Sequence, residues 1–197
     1  KEMVLVPSSL YNQELDAVLI DTIHGDQMDY SIAVDDVHQW ELHNVFGTSS
    51  EMLELVLDKY PQARQVQYMT ACLRGIFRTL TEDVNQWIKL YVLPSCFNLV
   101  VLKGEQLQIA KSFYYETPED IIYHLLNVVD KYGLDVSEAI VEVSGLLDSS
   151  STTWRELGKY FLNISIEKTT SFSGENPNNA DFPSHYFTPF LLVPRCV

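Results

Sequence analysis

Cysteine is scarce: Cys72, Cys96 and Cys196 are the only three in 197 residues. No two of them have the short spacing of a zinc knuckle or a redox pair, so free thiols in a reducing, cytoplasmic setting are expected. Basic residues are also few. Thirteen Lys and Arg stand against 27 Asp and Glu, for a formal net charge of −14. A field of that sign repels phosphate backbones and anionic lipid, and the cations are scattered singly, so no nucleic-acid partner is expected. No apolar run approaches the ~20 residues needed to span a bilayer, which argues against direct membrane insertion. No signal peptide is read at the start, although the chain opens at Lys1 and leaves room for a preceding segment. The triplet Asn163-Ile164-Ser165 would matter only in a secreted protein. Neither a Gly-x-Ser-x-Gly elbow nor a glycine loop ending in Lys-Ser or Lys-Thr occurs.

What is present reads as a globular α/β chain, with 46% apolar and 20% charged residues. Met3-Val4-Leu5-Val6 is a short buried strand closed by Pro7, and residues 12–23 form a helix with Asn12 as its cap. Residues 30–34 and 39–46 alternate with period two and predict a strand pair, with Asp35-Asp36 as the break between them. Thr48-Ser49-Ser50-Glu51 has the form of a capping box, opening a helix that Pro61 stops. A strand or loop then leads to a helix over 68–80.

From residue 85 three strands follow, at 88–93, 96–102 and 107–115, with turns at Pro94-Ser95 and at Lys103-Gly104-Glu105-Gln106. Thr117-Pro118-Glu119-Asp120 carries the cap, N1 proline and early acids of a helix start, and Gly133 supplies the stop. A strand at 139–143 leads through Ser144-Gly145 to a serine-rich turn. Thr153-Trp154-Arg155-Glu156 suggests a second capping box and a helix to Phe161, and residues 162–167 predict one more strand. Three regions result: 1–84, 85–170, and a polar loop with a docking tail at 171–197.

The order from 88 to 161 resembles the core of the ribonuclease-H-like or actin-like ATPase fold. The segments 113–123, Val143-Ser144-Gly145, Leu157-Gly158-Lys159-Tyr160-Phe161 and Val6-Pro7-Ser8-Ser9-Leu10-Tyr11 resemble a bacterial family known as a domain of unknown function. Its structures are of actin-like type and distantly similar to PilM- and FtsA-type proteins. The resemblance implies two similar subdomains with mixed sheets. Members are longer at the start, so the first subdomain is expected to be incomplete there.

The same resemblance implies three nucleotide motifs. One phosphate loop belongs to the opening hairpin. The second belongs between Leu90 and Val101, where an Asp-x-Gly-x-x-Thr-like pattern is expected. The turn reads Leu93-Pro94-Ser95-Cys96 instead, without an acid for Mg²⁺ or a glycine for close phosphate approach. The adenosine-side motif is half present as Ser144-Gly145, with Leu146 in place of a second glycine. ATP and Mg²⁺ are therefore not expected as cofactors, and no catalytic residue is assigned.

Ser144 and Gly145, with Ser149, Ser150 and Ser151 before the next helix, are the candidate site for a phosphate or carboxylate. Plain N-capping is the simpler reading of those serines. His38, Glu41 and His43 suggest a metal site, but on one strand His38 faces away from the other two, and two ligands are too few for zinc. His24, His124 and His185 have no sequence-local partner. Cys72 and Cys96 lack a neighbouring base to activate them. Glu116, Glu119 and Asp120 suit the helix dipole better than a catalytic carboxylate pair. Tyr114, Tyr115, Tyr123, Tyr186, Phe187 and Phe190 could line a partner groove, with core packing as the expectation. The sequence thus favours a non-catalytic actin-like binding or scaffold module with a protein partner or as a homodimer. The rivals are an actin-like ATPase and a cytoplasmic adaptor of a membrane assembly.

Overall fold

A computed structural model describes residues 2–25, 29–79, 85–167 and 183–191. They fall into two compact units, Lys1–Arg78 and Thr79–Arg195.

In the first unit an antiparallel sheet has the order β1-β3-β2, from β1 (Met3–Pro7), β2 (Tyr30–Val37) and β3 (Leu42–Ser49). Asn12 accepts the Glu14 N–H at 3.1 Å and opens a 3₁₀ turn that continues into α1 (Asp16–His24). Ile20 of α1 packs on Val6 and Val45, with Val4, Leu19, Ile32 and Val34 around them. Helices α2 (Ser50–Lys59) and α3 (Tyr68–Thr79) complete the unit. The loop before α3 resolves the strand-or-loop alternative for that stretch as loop.

Two local expectations fail here for visible reasons. Asp35-Asp36 does not break the strand pair: β2 runs through both to Val37, and the reversal is a 3₁₀ turn, His38–Trp40, ending on Glu41 with φ 53°. Asp35 accepts the Gln67 N–H at 2.7 Å, and the Asp36 carbonyl accepts from Arg74 at 2.6 Å, so tertiary partners keep both acids in the strand. The cap of α2 is Ser49 rather than Thr48, with its hydroxyl accepting the Met52 N–H at 3.5 Å.

The second unit holds a five-stranded mixed sheet, order β6-β5-β4-β7-β8. The strands are β4 (Gln86–Val92), β5 (Cys96–Lys103), β6 (Gln106–Tyr114), β7 (Ile140–Gly145) and β8 (Asn163–Ile166). The first three form the meander read in the sequence; β7 pairs in parallel with β4, and β8 with β7. The crossover is α4 (Pro118–Tyr132). Asp120 Oδ2 accepts from the Glu116 and Thr117 N–H groups, both at 2.9 Å, and Gly133 ends the helix at φ 59°. Helix α4 buries Ile121, Ile122, Leu125, Val128 and Val129 against Ile88, Leu90, Val92, Phe97, Leu99, Val101, Val141 and Val143. Each such side chain contributes roughly 1.5–3 kcal/mol of burial. The next helix, α5 (Thr152–Leu157), starts two residues earlier than a Thr153 cap would set it, because Ser151 supplies the cap, and it ends before Phe161. Residues 183–191 add a 3₁₀ turn and a short helix, α6 (Thr188–Leu191). The loop expected at 171–183 lies outside the described residues except for Pro183, as do the tail beyond 191 and Cys196.

Candidate functional site

Parallel pairing of β4 with β7 sets Val92 beside Gly145 and Tyr91 beside Ser144. The Ser144-Gly145 pair, expected after the strand, thus forms its last two residues. They stand next to the β4–β5 turn, where the fold would carry a phosphate loop. Gly145 has φ 86°, and a Cβ there would lie 2.0 Å from the Val92 carbonyl oxygen. That oxygen accepts the Leu146 N–H at 2.8 Å. The glycine therefore serves close strand contact. Ser144 is buried, and its hydroxyl has no hydrogen-bond partner.

The β4–β5 turn is closed from within. Leu93 N–H donates to Cys96 O at 2.9 Å, the Tyr115 hydroxyl donates to Leu93 O at 2.8 Å, and Tyr115 N–H donates to Ser95 O at 3.4 Å. Burial, and then the Cys96 thiol, push the Tyr115 hydroxyl above its ordinary value, so it remains a donor. No carboxylate belongs to the turn, and Pro94 offers no N–H to a phosphate.

Beyond β7 the serines are engaged locally. Ser150 N–H donates to Asp148 Oδ1 at 2.6 Å, Ser151 N–H to Asp148 O at 3.0 Å, and Ser151 Oγ accepts the Trp154 N–H at 3.1 Å. The Ser150 backbone N–H, its hydroxyl and then His185 hold the Asp148 carboxyl below the usual aspartate range. An anion arriving here would meet a resident carboxylate. The structure thus brings Ser144 and Gly145 to the turn, and holds Ser150 and Ser151 in their own loop. The turn offers no acid for a cation, and the Ser150 and Ser151 N–H groups are engaged by Asp148.

The histidines are dispersed. His38 lies in the 3₁₀ turn, off the strand assumed for it, while His43 stacks on Tyr11 with ring centroids 4.1 Å apart. His24 Nε2 donates to Met3 O at 3.0 Å, His185 Nε2 to Leu147 O at 3.0 Å, and His124 lies 4.6 Å from the Phe113 ring. Among the described residues no three His, Cys, Asp or Glu could hold a metal ion together. Cys72 is buried and Cys96 half-buried, and neither is in a disulfide. Asp120 caps α4, which accounts for the acids near it. Core packing holds for Tyr115 only in part and fails for four of the aromatics: Tyr114, Tyr123, Phe187 and Phe190 are exposed. Edge strand β6 ends at Tyr114, and Tyr123 lies off the apolar stripe of α4, so burial would require neighbours that neither element has.

Sequence reasoning missed the face of the sheet opposite α4. Lys89 is buried there, with Nζ 2.8 Å from Glu167 Oε1 and 2.5 Å from Glu142 Oε2, the second contact having ion-pair rather than hydrogen-bond angles. It also lies 4.5 Å from the Trp87 ring centre. Beside it a polar lane crosses four strands through Ser112, Asn98, Tyr91 and Ser144, with Ser112 Oγ donating to Asn98 Oδ1. A lysine inside the apolar run of β4 was the available signal.

The profile of a family described as "Protein of unknown function (DUF3822)" matches residues 1–164. The chain belongs to the DUF3822 family. Among solved structures, this DUF3822 chain is similar to a Bacteroides thetaiotaomicron protein with an actin-like ATPase fold and unknown function. The TM-score is 0.79 at 20% identity, over 85% of this chain and 65% of that one. The DUF3822 chain thus spans just under two thirds of that relative. It is also similar to a type IV pilus biogenesis complex of PilM and PilN, with TM-score 0.62 at 11% identity, over 99% of this chain and 75% of that one. No curated protein sequence matches it. At these identities the likeness shows the fold, which is that of actin-like ATPases. No helix among the described residues is long and apolar enough to cross a membrane.

Proposed function

We propose that this chain is a non-catalytic actin-like module that binds a protein partner in the cytoplasm. The observation that carries the reading is the β4–β5 turn, whose Leu93 and Ser95 carbonyls are held by Tyr115 and which has neither glycine nor carboxylate. Phosphoryl chemistry in this fold needs close backbone approach to the phosphates and a coordinated cation. A proline turn sealed by a tyrosine supplies neither. A protein partner is supported by the PilM neighbour, whose solved structure is a complex with PilN. Within this reading, Ser144, Gly145, Ser150 and Ser151 mark the place a small anion would meet, and it would have to displace Asp148 from the Ser150 N–H.

Titration calorimetry of the full chain with ATP and Mg²⁺ tests the proposal. The expected result is no binding heat and no phosphate release. Saturable binding accompanied by hydrolysis would overturn it in favour of the ATPase reading.

A further inference from the structure

Helix α2 contains no fully buried residue, and only Ser50 and Leu53 within it are half-buried. Met52, Leu55 and Val56 recur at i, i+3 and i+4, which places them on one face, and Tyr60 follows as the C-cap of the helix. That face is open: Met52 is 60% and Leu55 65% exposed, and Val56 and Tyr60 are exposed beside them. An amphipathic helix ordinarily spends its apolar stripe on the core. Here the stripe is wider than the part the sheet covers, and its remainder forms a contiguous apolar ridge.

The chemistry of one flank says what covers it. Glu51, Glu54 and Asp58, at i, i+3 and i+7, line the side next to Leu55, and none of them takes part in an ion pair among the described residues. Lys59, at i+4 from Leu55, ends this face at the C-terminus of the helix, with its Nζ 5.6 Å from the Tyr60 ring centre. A second copy of this chain fits poorly. Antiparallel helix pairing sets this flank against itself, and two chains of net charge −14 repel. A segment with apolar anchors at helical spacing and Lys or Arg along one edge satisfies both the ridge and the flank. Met52 and Leu55 have the flexible side chains that accommodate such anchors.

We propose that α2 is a docking ridge for a basic amphipathic helix of a partner protein, seated on Met52, Leu55, Val56 and Tyr60 and held in register by Glu51, Glu54 and Asp58. The ridge is separate from the β4–β5 turn, so this inference survives or fails independently of the nucleotide test.

The probe is a labelled synthetic helix of alternating Leu and Lys face pattern, titrated into the full chain by fluorescence anisotropy, with a Leu and Glu peptide as the control. Binding of the Lys peptide alone is expected. Met52→Ser with Leu55→Ser should weaken it about tenfold or more, as loss of hot-spot anchors does. Glu51→Gln, Glu54→Gln and Asp58→Gln together should weaken it similarly and flatten its salt dependence. All these positions are exposed, and unchanged circular dichroism establishes that the variants fold. Equal binding by the Met52→Ser, Leu55→Ser variant would mean that attraction to the net charge explains everything, and would overturn the proposal. It would be overturned equally by absence of binding, or by a dimer of the free chain that the same variants dissociate.

Discussion

Gly145 stands where the β7 backbone closely approaches Val92 of β4. Its φ of 86° and the 2.0 Å gap between an added Cβ and Val92 O leave no room for any other residue. Gly145→Ala is expected to destabilise the fold by about 1–3 kcal/mol from backbone strain, with the clash adding to it. A lower urea midpoint measures the loss; an unchanged midpoint would mean that the strands do not meet this closely. Lys89 presents the opposite problem, a charge placed among apolar neighbours. Its two carboxylate partners repay its desolvation only together, so Lys89→Met strands Glu142 and Glu167 and should cost about 3–5 kcal/mol. Adding Glu142→Gln and Glu167→Gln should recover part of that loss in the same denaturation assay. A single variant as stable as the parent would show that the pairs contribute nothing.

Among the elements, α4 is the one whose ends were written most plainly. Its capping box holds the Asp120 carboxyl below its ordinary value of 3.8, first through the Thr117 N–H and then through the Glu116 N–H. A carboxyl depressed by folding contributes stability that is fully present above the unfolded value and is lost as pH falls through the folded one. Parent and Asp120→Asn should therefore differ in urea midpoint at neutral pH, and the difference should shrink as the pH falls below about 4. A gap that persists into strong acid would remove the carboxylate from the account. Strands β4, β5 and β6 and the stop at Gly133 were equally legible, because apolar runs are bounded there by turn residues. What the sequence hid has two physical causes. Asp35 and Asp36 look like a turn until Gln67, just before α3, and Arg74 within it supply their partners from more than thirty residues away. Thr48 and Thr153 fit the capping pattern, yet Ser49 and Ser151 do the capping, since the pattern fixes a spacing and tertiary packing selects the phase. For the candidate site, the residue types before α5 were readable, but the hold of Asp148 on Ser150 depends on loop geometry. The exposure of Tyr114 depends on which strand ends the sheet, and composition does not carry that.

For the whole chain, a net charge of −14 is a standing repulsion. Because the folded state brings these charges closer than the unfolded chain does, screening should stabilise it. The thermal midpoint at pH 7 is expected to rise as sodium chloride is increased from about 10 mM to about 150 mM, over which the Debye length falls from roughly 30 to 8 Å. A midpoint that falls instead would mean that local ion pairs outweigh the global field.

The strand order β6-β5-β4-β7-β8 also dictates a sequence of events. Loops of three and two residues join the members of the meander, whereas β7 reaches β4 only after the whole of α4 has been laid down. Closing a short loop is fast and closing a long one is slow, so the meander is expected to form first and β7 to join it later. The stretch that brings Ser144 and Gly145 into place is then among the last to be ordered as the chain emerges and folds.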